Sequence, residues 1–174
     1  MSVIDDQYLK DVEMMNIAIK LAEEAALLGE VPVAAIITHK DKIIAKAHNR
    51  RELDKDPTAH AEILAIRQAA EYLGDWRLEN CTIYVTLEPC PMCAGALTLS
   101  RIERCVFGCF DPKSGFTGSL CNINEFAPLN HKYKLTSGIC SEDCARLLKD
   151  FFKKIRQKKK DKKRPLTESD KNNG

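Results

Sequence analysis

No stretch of this 174-residue chain is apolar for long enough to cross a bilayer, which takes about 20 consecutive apolar residues, so no membrane partner is expected. The opening residues, from Met1 through Asp5 and Asp6 to Gln7, are acidic and lack the basic start and apolar stretch of a secretory signal. Internal repeats are missing, which excludes stacked repeat architectures. Net charge is also nearly missing: 27 Lys and Arg face 25 Asp and Glu, for a balance of +2. Eight cysteines are present, but without a secretory signal they point to a reducing compartment, the cytoplasm, rather than to a disulfide framework. Hydrophobic residues make up 44%, enough for one core, and the length suits one domain.

What the chain does have is concentrated between residues 60 and 93. His60 and Glu62 are separated by one alanine, and thirty positions after the histidine comes Pro89-Cys90-Pro91-Met92-Cys93. H-x-E followed by P-C-x-x-C is the pattern of zinc enzymes that deaminate nucleobases. His60, Cys90 and Cys93 make three metal ligands. Structural zinc usually takes four protein ligands, whereas catalytic zinc takes three and leaves a place for water, whose pKa the metal lowers from about 15.7 to about 7. Displacing an exocyclic amine also needs protons moved: one off the attacking water, one onto a ring nitrogen, one to the departing amine. Glu62, two residues after a ligand, is placed to carry all three.

Each residue also has an ordinary reading. A lone C-x-x-C could be a redox pair or half of a structural zinc site, with Cys81, Cys105 or Cys109 as a further ligand. Those three fall in or beside predicted strands, where small buried hydrophobes are the usual reading. Glu62 alone would be an exposed helix residue. His39 and His48 sit at the ends of a predicted hairpin and are not expected to be ligands. The whole pattern, in order, favours the catalytic reading.

Local signals frame the motif. A first helix is predicted over residues 8–28, with Val12, Met15, Ile19, Ala22 and Ala26 as its apolar stripe. Residues 32–37 and 43–45 read as two strands joined by a tight turn at Lys40 and Asp41, followed by a polar loop over 49–58. Thr58 is expected to cap a helix carrying Ile63, Ile66, Ala69, Ala70 and Leu73 at helical spacing, ended by Gly74. That puts His60 and Glu62 in its first turn. Residues 82–87 are β-branched and apolar, a buried strand. Pro91 suits the first position of a helix reaching about Arg101, so Cys90 and Cys93 lie at a helix N-terminus, where thiolate is favoured. A fourth strand over 104–109 precedes a long turn-rich loop from Phe110 to Leu129, with room for a short helix near residues 120–126. A fifth strand is read over 132–136. Ser141 is expected to cap a last helix with Cys144, Leu147, Leu148, Phe151, Phe152 and Ile155 on one face. The alternation predicts an α/β fold, a three-layer α/β/α sandwich on a central mixed five-stranded sheet. Residues 153–164 hold nine Lys or Arg and one Asp, +8, leaving about −6 elsewhere. Two readings stay open for that run: a solvated tail, or a guide for a phosphate backbone. The domain is drawn at 1–157, with 158–174 a basic, disordered tail.

Over residues 8–157 the chain resembles the bacterial tRNA-specific adenosine deaminases of the cytidine-deaminase-like superfamily. The matching blocks are residues 30–33, 56–62, 85–96, 107–108, 111–113, 118–120, 130–131 and 150–152. The resemblance implies one Zn2+ per chain, conversion of the wobble adenosine of a tRNA anticodon to inosine, and a homodimer holding the anticodon stem-loop near the subunit boundary. It implies that Asn49 bonds the flipped nucleoside and that the backbone amides of Ala61 and Cys90 orient the base and the water. Asp111, Lys113, Asn130 and His131 would line the nucleotide path, and Phe152 and Arg156 would contact RNA. The chain departs from the pattern at Phe110, where smaller or charged residues are common, and in its dense basic run. Two other readings keep the zinc residues: a deaminase of free guanine or cytosine, and a non-catalytic zinc-binding RNA module. The basic run and the 111–120 block speak against the first, and the retained Glu62 against the second.

Overall fold

The computed structural model describes residues 5–126 and 128–163. Its elements in order are α1 (Asp6–Leu27), β1 (Ala34–His39), β2 (Lys42–His48), α2 (Arg51–Asp54), α3 (Ala61–Leu73), β3 (Cys81–Leu87), α4 (Pro91–Leu99), β4 (Arg104–Cys109), a 3-10 turn (Ile123–Glu125), β5 (Lys134–Ser137) and α5 (Ser141–Lys163). The five strands form one sheet in the order β2-β1-β3-β4-β5. β1 is antiparallel to β2 and β3, while β3, β4 and β5 are parallel. The sheet is therefore mixed, and helices cover both faces, as expected.

Alternation along each strand explains the layering. Ala35 and Ile37 of β1, Ile83 and Val85 of β3, and Cys105 and Phe107 of β4 pack with Ala61, Ala65 and Ala69 of α3 and Ala94 and Leu97 of α4. Ile36, Tyr84 and Val106 point the other way, to Met15 and Ala18 of α1 and Cys144 of α5. Successive strand residues face opposite sides, so a strand covered on both faces reads as an unbroken apolar run. The cysteines expected as core, Cys81, Cys105 and Cys109, are buried. Gly108 lets α5 dock, because a Cβ there would collide with Cys144 Sγ and lie 2.6 Å from the Thr86 carbonyl oxygen.

One buried ion pair ties α1 to β4. Arg104 donates to Asp11 Oδ1 at 2.8 Å and Oδ2 at 2.5 Å, and Gln7 and the Tyr84 hydroxyl also donate to Asp11. Burial pushes the Asp11 carboxyl upward, but the bonds from Arg104 and Gln7 outweigh it and hold the group below its usual value.

Several expectations are corrected. β2 runs to His48, because its exposed Lys42 and Lys46 alternate with core-facing residues and hide the strand from an apolar count. The 49–58 loop contains the single turn α2, closed by Lys55 in the left-handed region (φ 51). Thr58 does not cap α3. Its amide and hydroxyl both bond Asp56 Oδ1 at 2.7 Å, and His60 is the N-cap residue. Ser141 is the first residue of α5 rather than its cap. Phe151 is buried but Phe152 is 42% exposed, so Phe152 leaves the apolar face, its ring edge-on to Phe151. Residues 158–163, assigned to a disordered tail, continue α5 as helix; the remaining tail residues, 164–174, lie outside the described residues. No helix among the described residues is long and apolar enough to cross a membrane.

Candidate active site

Two helix N-termini build the site. His60 is the N-cap of α3 and Cys90 the N-cap of α4, both with extended backbone. Pro91 starts α4, where its missing N–H costs nothing, and Cys93 follows in the first turn, three residues after Cys90. β3 delivers residues 88–90 to the same end of the sheet, so the three side chains converge. Their ligand atoms all lie within 4.8 Å of one another, with His60 Nδ1 3.7 Å from Cys90 Sγ and 3.6 Å from Cys93 Sγ. Among the described residues this is the one group of three or more His, Cys, Asp and Glu able to hold a metal ion.

The two sulfurs share protons unequally. Hydrogen bonding from Cys93, and then from His60, draws the Cys90 thiol down to about 4. Bonding to Cys90, and burial, push Cys93 up. Of the two sulfurs, Cys90 is the one whose surroundings favour the thiolate. The histidine is raised, first by its bond to Cys90. Two cysteines and a histidine in mutual contact form a set that can exchange protons for a cation.

Glu62 lies beside this group, only 3% exposed. Its Oε2 has no hydrogen-bond partner. Burial pushes the carboxyl up to about 7, the range where a group both takes and gives protons near neutrality. Buried unpaired carboxylate oxygens are rare because they cost stability, and here the orphan sits next to the candidate metal ligands.

Asn49 and Ala61 are brought to the same place, but bonded to each other: the Ala61 amide donates to Asn49 Oδ1 at 2.9 Å. Asn49 therefore supplies the N-terminal acceptor expected from Thr58, and the Ala61 amide, expected to face the base, is occupied by a side chain twelve residues earlier. Asp111 and Lys113 sit on the loop after β4, where Asp111 Oδ1 accepts from the amides of Lys113 (3.0 Å) and Ser114 (3.2 Å). His131 is placed elsewhere. Its Nε2 lies 2.6 Å from the Ile102 carbonyl oxygen, beyond the C-terminal end of α4, whereas the cysteines are at its N-terminal end. A nine-residue helix separates those ends by about 13 Å, so His131 does not line the metal group. Asn130 is exposed, as are Phe152 and Arg156 on the flank of α5.

Besides Asp11, two buried carboxylates have roles that no local spacing in the sequence signals. Glu30, 1% exposed, accepts from the Leu53 amide at 2.8 Å and so holds α2. Glu88, 2% exposed, accepts from the amides of Asp111, Thr117 and Ser119 and from the Ser119 hydroxyl. Its place directly before Pro89-Cys90 was the only available signal, since its partners lie 23 to 31 residues on.

Residues 9–156 match the MafB19-like deaminase family model. A tRNA-specific adenosine deaminase of Bacillus subtilis (strain 168) is 48% identical over 164 residues, 94% of this chain and 98% of its relative. A solved structure from work on A-to-I editing by tRNA:A34 deaminases at the wobble position of transfer RNA superposes with a TM-score of 0.76 at 38% identity, covering 78% of this chain and 99% of the other. Guanine deaminase from Bacillus subtilis is more distant, with a TM-score of 0.55 at 34% identity over 62% of this chain and 66% of that one.

Proposed function

Since the chain belongs to the MafB19-like deaminases and, within them, to the tRNA-specific adenosine deaminases, we infer that its site converts adenosine to inosine at the wobble position of a tRNA anticodon. Water replaces the exocyclic amine at the purine C6, and ammonia leaves. The observation that carries the chemistry is the unpartnered Oε2 of buried Glu62 beside three convergent ligand atoms.

We propose zinc as the metal. With Zn–S near 2.3 Å and Zn–N near 2.0 Å, donors around one zinc would stand about 3.5 Å apart; the distances of 3.7 and 3.6 Å support that fit. Bound zinc supplies a Lewis acid that makes water nucleophilic at neutral pH. The chain supplies the rest. Glu62 takes the two protons of the attacking water in turn, passing the first to the ring nitrogen and the second to the departing amine. Asn49, fixed through the Ala61 amide, is held at the rim to bond the nucleoside. Asp111, Lys113, Asn130, His131, Phe152 and Arg156 are proposed RNA contacts. Of these, Asp111 and Lys113 have the firmest support, because their loop is bonded to the segment that ends in Cys90.

Substrate choice is tested directly. A tRNA enzyme uses contacts to neighbouring nucleotides to hold the reacting base, so a truncated substrate loses rate as well as affinity. The purified protein is expected to deaminate an anticodon stem-loop with adenosine at the wobble position, read as A turning to G on sequencing. Adenine, adenosine, guanine and cytosine should release little or no ammonia. Rapid turnover of a free base with an inert stem-loop would replace this reading by the free-base one.

A homodimer is supported by the outer face of α4. Met92 is 36% and Leu99 70% exposed, and Gly95 and Ala96 lie between them, an apolar stripe beside Cys93. Sedimentation should give a dimer for the wild type and a zinc-loaded monomer for Leu99→Glu; a monomeric wild type would remove this proposal.

RNA binding by the end of α5 is supported by its unbroken helix. Replacing Lys158, Lys159, Lys160 and Lys162 by Gln should flatten the salt dependence of stem-loop binding, by about 0.7 in the log–log slope for each phosphate no longer neutralised. An unchanged slope would make this a solvated helix end. The cytoplasm is the compartment such a substrate implies, and eight free cysteines fit it.

A further inference from the structure

We infer that Glu88 is a positioning residue that fixes the RNA-facing 111–119 loop to the metal-ligand segment. The inference rests on the tRNA reading above and adds a part to it.

Glu88 stands where β3 leaves the sheet. Its amide donates to the Cys109 carbonyl oxygen at 2.9 Å, the last residue of β4. Its carboxylate points into the loop that follows β4. Oε1 accepts from the amides of Thr117 at 3.1 Å and Ser119 at 2.9 Å. Oε2 accepts from the Asp111 amide at 3.0 Å and from the Ser119 hydroxyl. A carboxylate offers about four acceptor positions, and here four donors fill them. One further bond, from the Phe116 amide to the Pro89 carbonyl oxygen at 2.9 Å, ties the middle of the loop to the residue before Cys90.

Two phenylalanines anchor the loop apolarly: Phe116 packs against the core and Phe110 lies edge-on to Phe107. Gly115 packs directly on the carboxylate, and a Cβ added there would overlap it. Leu120, at the far end, is 57% exposed, and Phe110, although 50% exposed, rests its ring against Phe107 and beside Gly118. Beside these ring contacts, what pins the loop at 111, 117 and 119 is a buried carboxylate two residues from a metal ligand. The same rigid segment sets where Cys90 sits and where Asp111 and Lys113 present themselves. Contacts made to nucleotides flanking the reacting adenosine are then in register with the site. Without those bonds, ordering the loop would have to be done by the RNA on binding, at the expense of affinity.

Glu88→Gln tests this. The amide keeps the shape but turns two acceptor positions into donors facing N–H and O–H groups. The variant should fold and hold one zinc per chain. Its KM for the anticodon stem-loop should rise about ten- to a hundredfold, with kcat within about threefold of wild type. Gly115→Ala presses on the same carboxylate from the other side and should raise KM alike, and Ser119→Ala, which removes one hydroxyl bond, should raise it less. A role in stability alone would lower the unfolding midpoint and leave KM in place. Unchanged KM in folded, zinc-loaded Glu88→Gln overturns the assignment, as does a fall in kcat without a rise in KM. If Glu88→Gln does not fold, unchanged KM in both other variants overturns it. A wild-type protein inert toward the stem-loop overturns the functional reading and this assignment together, which distinguishes that failure from a failure of Glu88 alone.

Discussion

Glu62→Ala is expected to fold, carry a full equivalent of zinc, bind the anticodon stem-loop as tightly as wild type, and turn it over at least about 10⁴-fold more slowly. A single proton transfer by a positioned group contributes about 10²–10⁴-fold. Glu62 serves three, so the loss belongs at or beyond the upper end, about 5.5 kcal/mol or more in barrier height. The structure adds a second expectation. Oε2 is buried without a partner, and burial pushes the carboxyl up to about 7. An unpaired buried group of this kind costs about 1–3 kcal/mol of stability. Removing it should leave the unfolding midpoint unchanged or higher, the opposite of what a structural carboxylate would give. Ammonia release under single-turnover conditions, beside a thermal melt, reads both. Near-normal turnover would remove Glu62 from the mechanism, and a large drop in midpoint would recast it as a structural group.

The parts of this site that were legible in the sequence are those written in local spacing. His60 and Glu62, and Cys90 and Cys93, are each separated by no more than three positions. The β-branched run over 82–87 and the proline at 91 fix the strand–turn–helix that presents the cysteines. The helix patterns of α1 and α3 and the glycine after α3 were likewise local, and the layered α/β/α arrangement follows from their alternation. What escaped was written across long stretches of chain. Asn49 caps α3 from twelve residues away, which no reading of Thr58 could reveal, because Thr58 shows the usual cap chemistry but spends it on Asp56. Glu88 looks like an ordinary charged residue until the chain returns 23 to 31 residues later and closes around it. The contact of His131 with the Ile102 carbonyl spans 29 residues and has no local signal either. The end of α5 misled for a different reason. Lysine is a good helix former, so a run of lysines can extend a helix already anchored by Cys144, Leu148 and Phe151, although its composition alone resembles a solvated tail.

Cys90→Ala is expected to take the metal content from one equivalent to near none, and activity with it, while Cys140→Ala and Cys144→Ala keep both metal and turnover. Cys90 carries the proposal because its sulfur lies 3.7 Å from His60 Nδ1 and because it stands at the N-cap position of α4. Without it the remaining His60 and Cys93 offer two donors, too few for a site that needs three and an open position. The control cysteines are chosen for their surroundings. Cys144 is 1% exposed and packs against Gly108, so its loss should cost stability through a small cavity without touching the metal. Cys140 is half-buried outside the ligand group. Stability should separate the two effects as well. Metal bound only by the folded chain adds to folding free energy, so a chelator should lower the melting midpoint of wild type and of Cys144→Ala but leave Cys90→Ala unmoved. Metal analysis by mass spectrometry, with melts run with and without chelator, checks both statements. Full zinc in Cys90→Ala would take that sulfur out of the ligand set and leave His60 and Cys93 needing another partner. A chelator that shifts Cys90→Ala as far as wild type would mean that the stabilising metal binds elsewhere in the chain.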